Sequence, residues 1–244
     1  MKEMFADLSA QVKLCFLNDD RWKMLVKGLG ATLQITAVAL LIGIVLGIIV
    51  AAVRSSYEKN KETMKAHGGI GYVLLSIANA ICKLYLTIIR GTPTVVQLLI
   101  FYFIIFAKMS DGVPVAMICF GINSGAYVAE IFRSGIMSTD NGQFEAGRSL
   151  GFSYIQTMRY IVIPQAFKTV LPTLCNEFIV LIKETSIAGY VAVTDLTKAA
   201  EAVKSRTFNL IPHVLVAVVY LAMVICLTQL QKRLERRLAR SDRG

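Results

Sequence analysis

Charge is what this chain has least of. Only 17% of its 244 residues are Asp, Glu, Lys or Arg, where a soluble domain carries about 25%. The shortage is gathered into long gaps: Gly28 to Val53 holds no charged residue, and neither does Thr207 to Gln231. Each gap exceeds the roughly 20 residues that carry a helix across about 30 Å of hydrocarbon. Lipid offers no partners to free backbone groups, so such a run is a helix or part of a closed barrel. Unbroken apolarity, not alternation, selects the helix.

Other absences narrow the chemistry. Histidine occurs only at the isolated positions His67 and His213, so no His-based metal site is expected. The five cysteines, Cys15, Cys82, Cys119, Cys175 and Cys226, show no paired spacing. They read as small apolar packing residues, not as a disulfide framework or a metal site. No G-x-x-x-x-G-K-[ST] phosphate loop is present, so the chain is not expected to hydrolyse ATP. No Ser/His/Asp or zinc arrangement stands out, and no catalytic residue is assigned. Met1 to Asp20 is mixed polar without an apolar core, so no cleaved signal peptide is expected.

What remains is hydrophobic: 55% of the residues, with a mean hydropathy of +0.60. The net charge of +10 sits at the ends of apolar runs, which points to membrane topology and away from nucleic acid. Residues 1–27 form a polar to amphipathic arm with Trp22 as an interfacial anchor. Residues 28–231 form one membrane domain with a polar loop at about 137–160. Residues 232–244, KRLERRLARSDRG, form a basic tail suited to an anionic inner surface. The first span, 29–53, is followed by a basic stretch with Lys59, Lys61 and Lys65. Placing that stretch and the tail inside requires an even number of crossings between them. Counting 91–108, 113–136, 161–190 and 209–230 gives an all-α membrane protein of about five transmembrane helices. Its N-terminus is outside, its C-terminus is cytoplasmic, and 70–90 is a tilted or interfacial helix. The 137–160 loop then faces the cytoplasm.

That loop carries the most information. Asp140-x-x-Gln143 and Ser153-x-x-Gln156 both fit helix-start capping boxes. They predict two short helices joined at Gly151-Phe152, where glycine permits a positive φ. Within it Glu145-Ala146 is followed by Gly151, Ile161 and Pro164. This pattern resembles the cytoplasmic coupling loop of ABC importer permeases, Glu-Ala-Ala followed by Gly and then Ile-x-Leu-Pro. Gly147 stands where the second Ala is usual, and Ile163 where Leu is. RGTPTVVQL (Arg90 to Leu98), GAYVAEIFRSGI (Gly125 to Ile136), GQFEAGRSLG (Gly142 to Gly151) and KETSI (Lys183 to Ile187) look like permeases of the polar amino acid importer family. The resemblance runs in order from about residue 28 to 230. Asp is usual where Glu184 stands, and Leu where Ile187 stands.

The resemblance implies a type I ABC importer permease fold, in a multi-pass subunit of a bacterial plasma (inner) membrane. It implies a dimer of ATP-binding cassette ATPases carrying the ATP and Mg, with no cofactor on this chain. It implies a second permease subunit, identical or related, and an extracellular or periplasmic amino acid-binding protein. Glu145, Ala146, Gly147, Gly151, Ile161 and Pro164 would form the ATPase-coupling surface. The rival functions are an ion-coupled secondary amino acid carrier and a non-transporting membrane scaffold.

A zwitterion crossing a membrane needs partners for an ammonium and a carboxylate. Ionisable residues inside spans are costly and usually face a pathway or a partner. Glu177 and Glu184, seven apart, share a helix face, and Asn176 adjoins Glu177. One reading gives Glu177 or Glu184 the substrate ammonium; the other has Glu177 neutralised by Lys168 or Lys183. At the Arg90-Gly91-Thr92-Pro93 break, the exposed amides and the Thr92 hydroxyl bind a carboxylate, or Arg90 anchors the helix to headgroups. Glu130 and Arg133, three apart, are expected to pair.

Overall fold

A computed structural model of the chain describes residues 11–67 and 69–240, and among these there is no strand. The long helices are α1 (Trp22–His67), α2 (Ile70–Gly91), α4 (Gly112–Met137), α7 (Ile163–Glu184) and α9 (Ile211–Arg240). Shorter ones are α3 (Thr94–Ile100), α5 (Asn141–Ser149), α6 (Tyr154–Thr157) and α8 (Leu196–Thr207). Four stretches are long and apolar enough to cross a membrane: Trp22–Lys59, Ile70–Gly91, Gly112–Met137 and Ile211–Leu238. The 22 residues of α7 reach about 33 Å at 1.5 Å per residue, but its four charges lower its apolarity.

These four stretches differ from the sequence reading by including 70–90 and by leaving out 91–108 and 161–190. The 70–90 stretch, expected to be tilted or interfacial, is among the helices long and apolar enough to cross a membrane. It is a helix of spanning length, whereas the apolar helix after the break runs only from Thr94 to Ile105. The cause is the two-sided character of α2. Cys82, Tyr85, Leu86 and Ile89 pack with Val50 of α1 and with Ile122, Ala126 and Ala129 of α4. Val73, Leu74, Ile77, Ile81, Leu84 and Ile88 stay exposed along the opposite stripe. Asn79 and Lys83, which interrupt the apolar run, obscured this pattern.

The chain divides into two compact units, and the division falls inside α1, α3, α4, α7 and α9. One unit comprises the described residues up to Ala39 with Val95–Phe120 and Phe178–Leu230. Its core joins Leu25 to Leu196, Ala199, Ala200 and Val216. Asp195, fully buried, caps α8 by accepting from the Thr197 and Lys198 amides at 2.9 and 3.0 Å. Burial pushes its carboxyl up, against the pull of those amide hydrogen bonds. Cys15 is also buried, with its thiol 3.9 Å from the Thr207 hydroxyl, so the arm is packed well before Trp22.

The other unit comprises Leu40–Thr94, Gly121–Glu177 and the described residues from Gln231. Here α1 and α4 run parallel. A Cβ on Gly43 would meet Ser124 at 3.0 Å. Four residues further along both helices, one on Gly47 would meet Val128. Small residues let the two backbones approach this closely. Parallel helices that both cross a membrane require one net return between them.

Candidate functional site

The polar loop after α4 is built from local signals. Asp140 caps α5 by accepting from the Gly142 amide at 2.8 Å. Its expected partner Gln143 does not reach back to close the box. The Gln143 carbonyl oxygen instead accepts from the Gln165 amide at 3.2 Å. The second box closes as the sequence predicts: the Gln156 amide donates to Ser153 Oγ at 3.3 Å, and the Ser153 amide donates to Gln156 Oε1 at 2.8 Å. Between them α5 ends at Gly151, whose φ is +80°. The Phe152 amide donates to the Gly147 carbonyl and the Gly151 amide to Arg148, which together form a Schellman motif. A π turn, Met158–Val162, continues α6 directly into α7, so the loop and the long helix are one rod.

The faces of this hairpin differ. Gly147 and Thr157 are buried against each other. Ile161 is half-buried beside them, and Pro164 lies exposed in the first turn of α7. Glu145 and Ala146 lie exposed, as do Leu150 at 72% and Ile155 at 75%. Phe144 turns the other way and packs with Met158 against Ile136, Val162 and Ala166. The hairpin is therefore anchored on one side and presents a charged and apolar surface on the other, with Arg148 and Arg159 exposed as well as Glu145.

The ionisable residues of the same unit form a second feature. Glu130 and Arg133 pair as expected, at 2.8 Å. The pair belongs to a ring that sequence spacing alone did not disclose. Arg54 bonds Glu58 at 3.1 Å, Glu58 meets Arg133 at 3.2 Å, and Arg54 lies 3.7 Å from Glu130. Beside Glu130 and Arg133, the sequence signal was Arg54-x-x-x-Glu58 at helical spacing. The partnership between α1 and α4 needs the fold.

Two open hollows flank Glu130. One is basic, lined by Arg54, Lys83, Thr87, Arg90 and Gly91 with Glu130. The other is lined by Tyr127, Glu130, Ser134, Thr173, Asn176 and Glu177. Arg90 lies over the Tyr127 ring at 5.7 Å. Glu177 accepts a hydrogen bond from Ser124 Oγ at 2.8 Å. The Thr92 hydroxyl donates to the Ile88 carbonyl at 2.8 Å. Glu184 ends α7 half-buried in the other compact unit. Among the described residues no His, Cys, Asp or Glu cluster fits a metal ion.

Comparisons with known proteins agree with this architecture. The family model described as "Binding-protein-dependent transport system inner membrane component" matches residues 69–240. The L-cystine transport system permease of Bacillus subtilis is 32% identical, over 90% of this chain and 88% of its own. The arginine transport system permease of the same organism is 33% identical, over 89% and 94%. The glutamine transport system permease of Escherichia coli is 34% identical, over 88% and 93%. Among solved structures, an amino acid ABC transporter crystallised with histidines matches with a TM-score of 0.76 and 35% identity, over 88% of this chain and 94% of that one. The inward-facing methionine ABC transporter shares the fold, with a TM-score of 0.75 at 19% identity, over 91% and 99%. The chain belongs to the family of binding-protein-dependent transport system inner membrane components, as a permease of the ABC importer kind.

Proposed function

We infer that this chain is the permease subunit of an ATP-driven importer for a polar amino acid, coupled to a separate ATPase through the α5–α6 hairpin. The observation that carries the coupling is the two-sidedness of that hairpin. Gly147, Thr157 and Phe144 hold it from within, while Glu145, Leu150 and Ile155 are left on the surface. An ATPase dimer binding ATP and Mg would dock there. A rigid docked hairpin that continues into α7 converts closure of the ATPases into motion of a spanning helix.

The topology follows with the basic stretch after Lys59 and the tail inside. Helix α1 enters, α2 with the short segment after it returns, α4 enters, α7 returns and α9 enters. These are five crossings with the N-terminus outside, and the parallel course of α1 and α4 supports them. Residues 28–231 form the permease domain, 1–27 an arm, and 232–244 a tail on the inner leaflet of a bacterial plasma membrane. A second permease subunit completes the pathway, and an external binding protein delivers the amino acid. Loaded binding protein must favour one state of the permease over the other for ATP to drive import.

The substrate reading rests on the two hollows of opposite charge that share Glu130. Glu177 with Asn176 faces an ammonium, and Arg90 with its basic neighbours faces a carboxylate. The relatives named for cystine, arginine and glutamine transport support a polar amino acid without selecting one.

Two outcomes are expected. In mild detergent the wild type should bring down an ATPase whose activity rises when loaded binding protein and one amino acid are added. Glu145→Arg should lose it, and an ATPase that stays bound and coupled to this variant would remove the coupling reading. Glu177→Gln keeps the shape and the Ser124 hydrogen bond but deletes the charge. It should lower uptake in proteoliposomes about tenfold, the worth of one charged hydrogen bond. Unchanged uptake would return Glu177 to a structural role.

A further inference from the structure

We propose that Lys59, on the inner extension of α1, is the joint through which movement of the coupling helix α5 reaches the membrane core by a second route. The proposal rests on the coupling role of the hairpin.

Three observations place the joint. Lys59 Nζ donates to Asn141 Oδ1, at the first residue of α5, at 2.7 Å. The same ammonium sits 4.4 Å from the centre of the Phe144 ring, one turn further along α5. Its neighbour Glu58 bonds Arg133 of α4 at 3.2 Å. Consecutive residues of one helix are thus tied to the coupling helix and to a spanning helix. Phe144 is itself anchored against Ile136, Val162 and Ala166, so its ring presents a fixed face to the cation.

The physics favours a joint over a decorative contact. An exposed lysine paired with one carboxylate is worth little, because water competes and the side chain is free to swing. Lys59 is partly exposed and its bond to Asn141 lies at the surface, but it is held at two points by groups of different kind, a hydrogen-bond acceptor and a π face. Helix α1 is a continuous 46-residue helix from Trp22 to His67, so a pull on Lys59 is carried along its backbone hydrogen bonds. The covalent route through α6 and α7 carries motion to a different helix. Both routes act together only while Lys59 holds α5.

Lys59→Met deletes the ammonium and keeps the length of the side chain. The test reconstitutes the complete transporter with its ATPase and binding protein. It measures co-purified ATPase, ATP hydrolysis, and uptake of labelled L-arginine, L-glutamine and L-cystine offered singly. Lys59→Met should retain the ATPase at the wild-type ratio. Amino acid moved per ATP hydrolysed should fall about tenfold, the combined worth of a charge-assisted hydrogen bond and a cation–π contact. Lys59→Arg, which keeps both contacts, should return the ratio to within about twofold of wild type, because an Arg fork can meet both partners. Phe144→Leu should lower the ratio, and the double variant should fall no further than Lys59→Met alone. Phe144→Leu with Lys59→Arg carries the test if Lys59→Met does not reach the membrane.

An unchanged transport ratio in Lys59→Met would overturn the joint. So would loss of the ATPase itself, since Lys59 would then belong to the docking surface. Glu145→Arg run alongside separates the two ideas. If that variant keeps its ATPase and its uptake, the coupling reading has failed, whatever Lys59 does.

Discussion

Gly147→Ala should lower transport severalfold, and adding Thr157→Ala should restore it. A Cβ built on Gly147 would lie 2.7 Å from Thr157 Oγ1, 2.8 Å from Thr157 Cγ2 and 3.3 Å from Ile161 Cδ1. Real Cβ atoms do not come so close. Thr157 is 2% exposed and β-branched, so it has no free rotamer to swing into. Alanine would raise helix propensity by about 1 kcal/mol, but overpacking a filled site costs about 1–3 kcal/mol. The contact wins, and α5 moves off its bed, taking the exposed Glu145 with it. Thr157→Ala removes both offending atoms. The double variant should therefore regain coupling and gain the propensity besides. Uptake per ATP and ATPase retention, measured on all three variants, decide the matter. A double variant as impaired as Gly147→Ala would mean that the fit between these two residues does not set the position of the hairpin. The same packing explains why glycine stands here where alanine is usual in the loop pattern: the partner at 157 has taken the volume.

Arg133→Met should destabilise the protein by about 3 kcal/mol, the cost of stranding a partly buried charge. It leaves Glu58 and Glu130 facing Arg54 alone. The four side chains are only 15–28% exposed, so water does not make good the loss. Glu130→Gln in the same background returns the cluster to one cation and one anion. It should recover part of the stability, which makes the pair non-additive. Unfolding in detergent, followed for both singles and the double, reads this directly. Strict additivity would show that Glu130 and Arg133 do not act on each other, against the ring. The distinction bears on function, because Glu130 also lines both polar hollows and its orientation depends on the ring.

The two capping boxes show how far local sequence reaches. Ser153 and Gln156 lie within one turn and meet no competitor, so their reciprocal bonds follow from spacing alone. Asp140 and Gln143 carry the same signal, but Gln165 stands within reach of Gln143 and takes its carbonyl. Nothing near position 143 announces a residue 22 positions away. The same contrast holds at the chain break, where Pro93 and Gly91 mark the end of α2, while the direction of the Thr92 proton is decided by the Ile88 carbonyl. Helix α2 differs from the sequence reading for a related reason. Asn79 is buried, 4% exposed, so a polar residue that weakens the apolar run marks its packed side, while Lys83 is exposed and lines a polar hollow.

Apolar run length, the charges at the ends of the runs and the positive φ at Gly151 are properties of a few neighbouring residues. They are dictated by lipid thickness, by surface potential and by the steric limits of one backbone. These were enough for an all-α membrane chain with a projecting hairpin, and the motifs within it pointed to the family. The charge ring, the Lys59 contact with α5, the fit of Gly147 to Thr157 and the sharing of Glu130 by two hollows each join residues distant in the chain. Their energies depend on which helices meet and in what register, and the fold alone sets that. A charge knows its neighbours on its own helix through a spacing of three or four residues; its partner on another helix is chosen by the packing of everything between them.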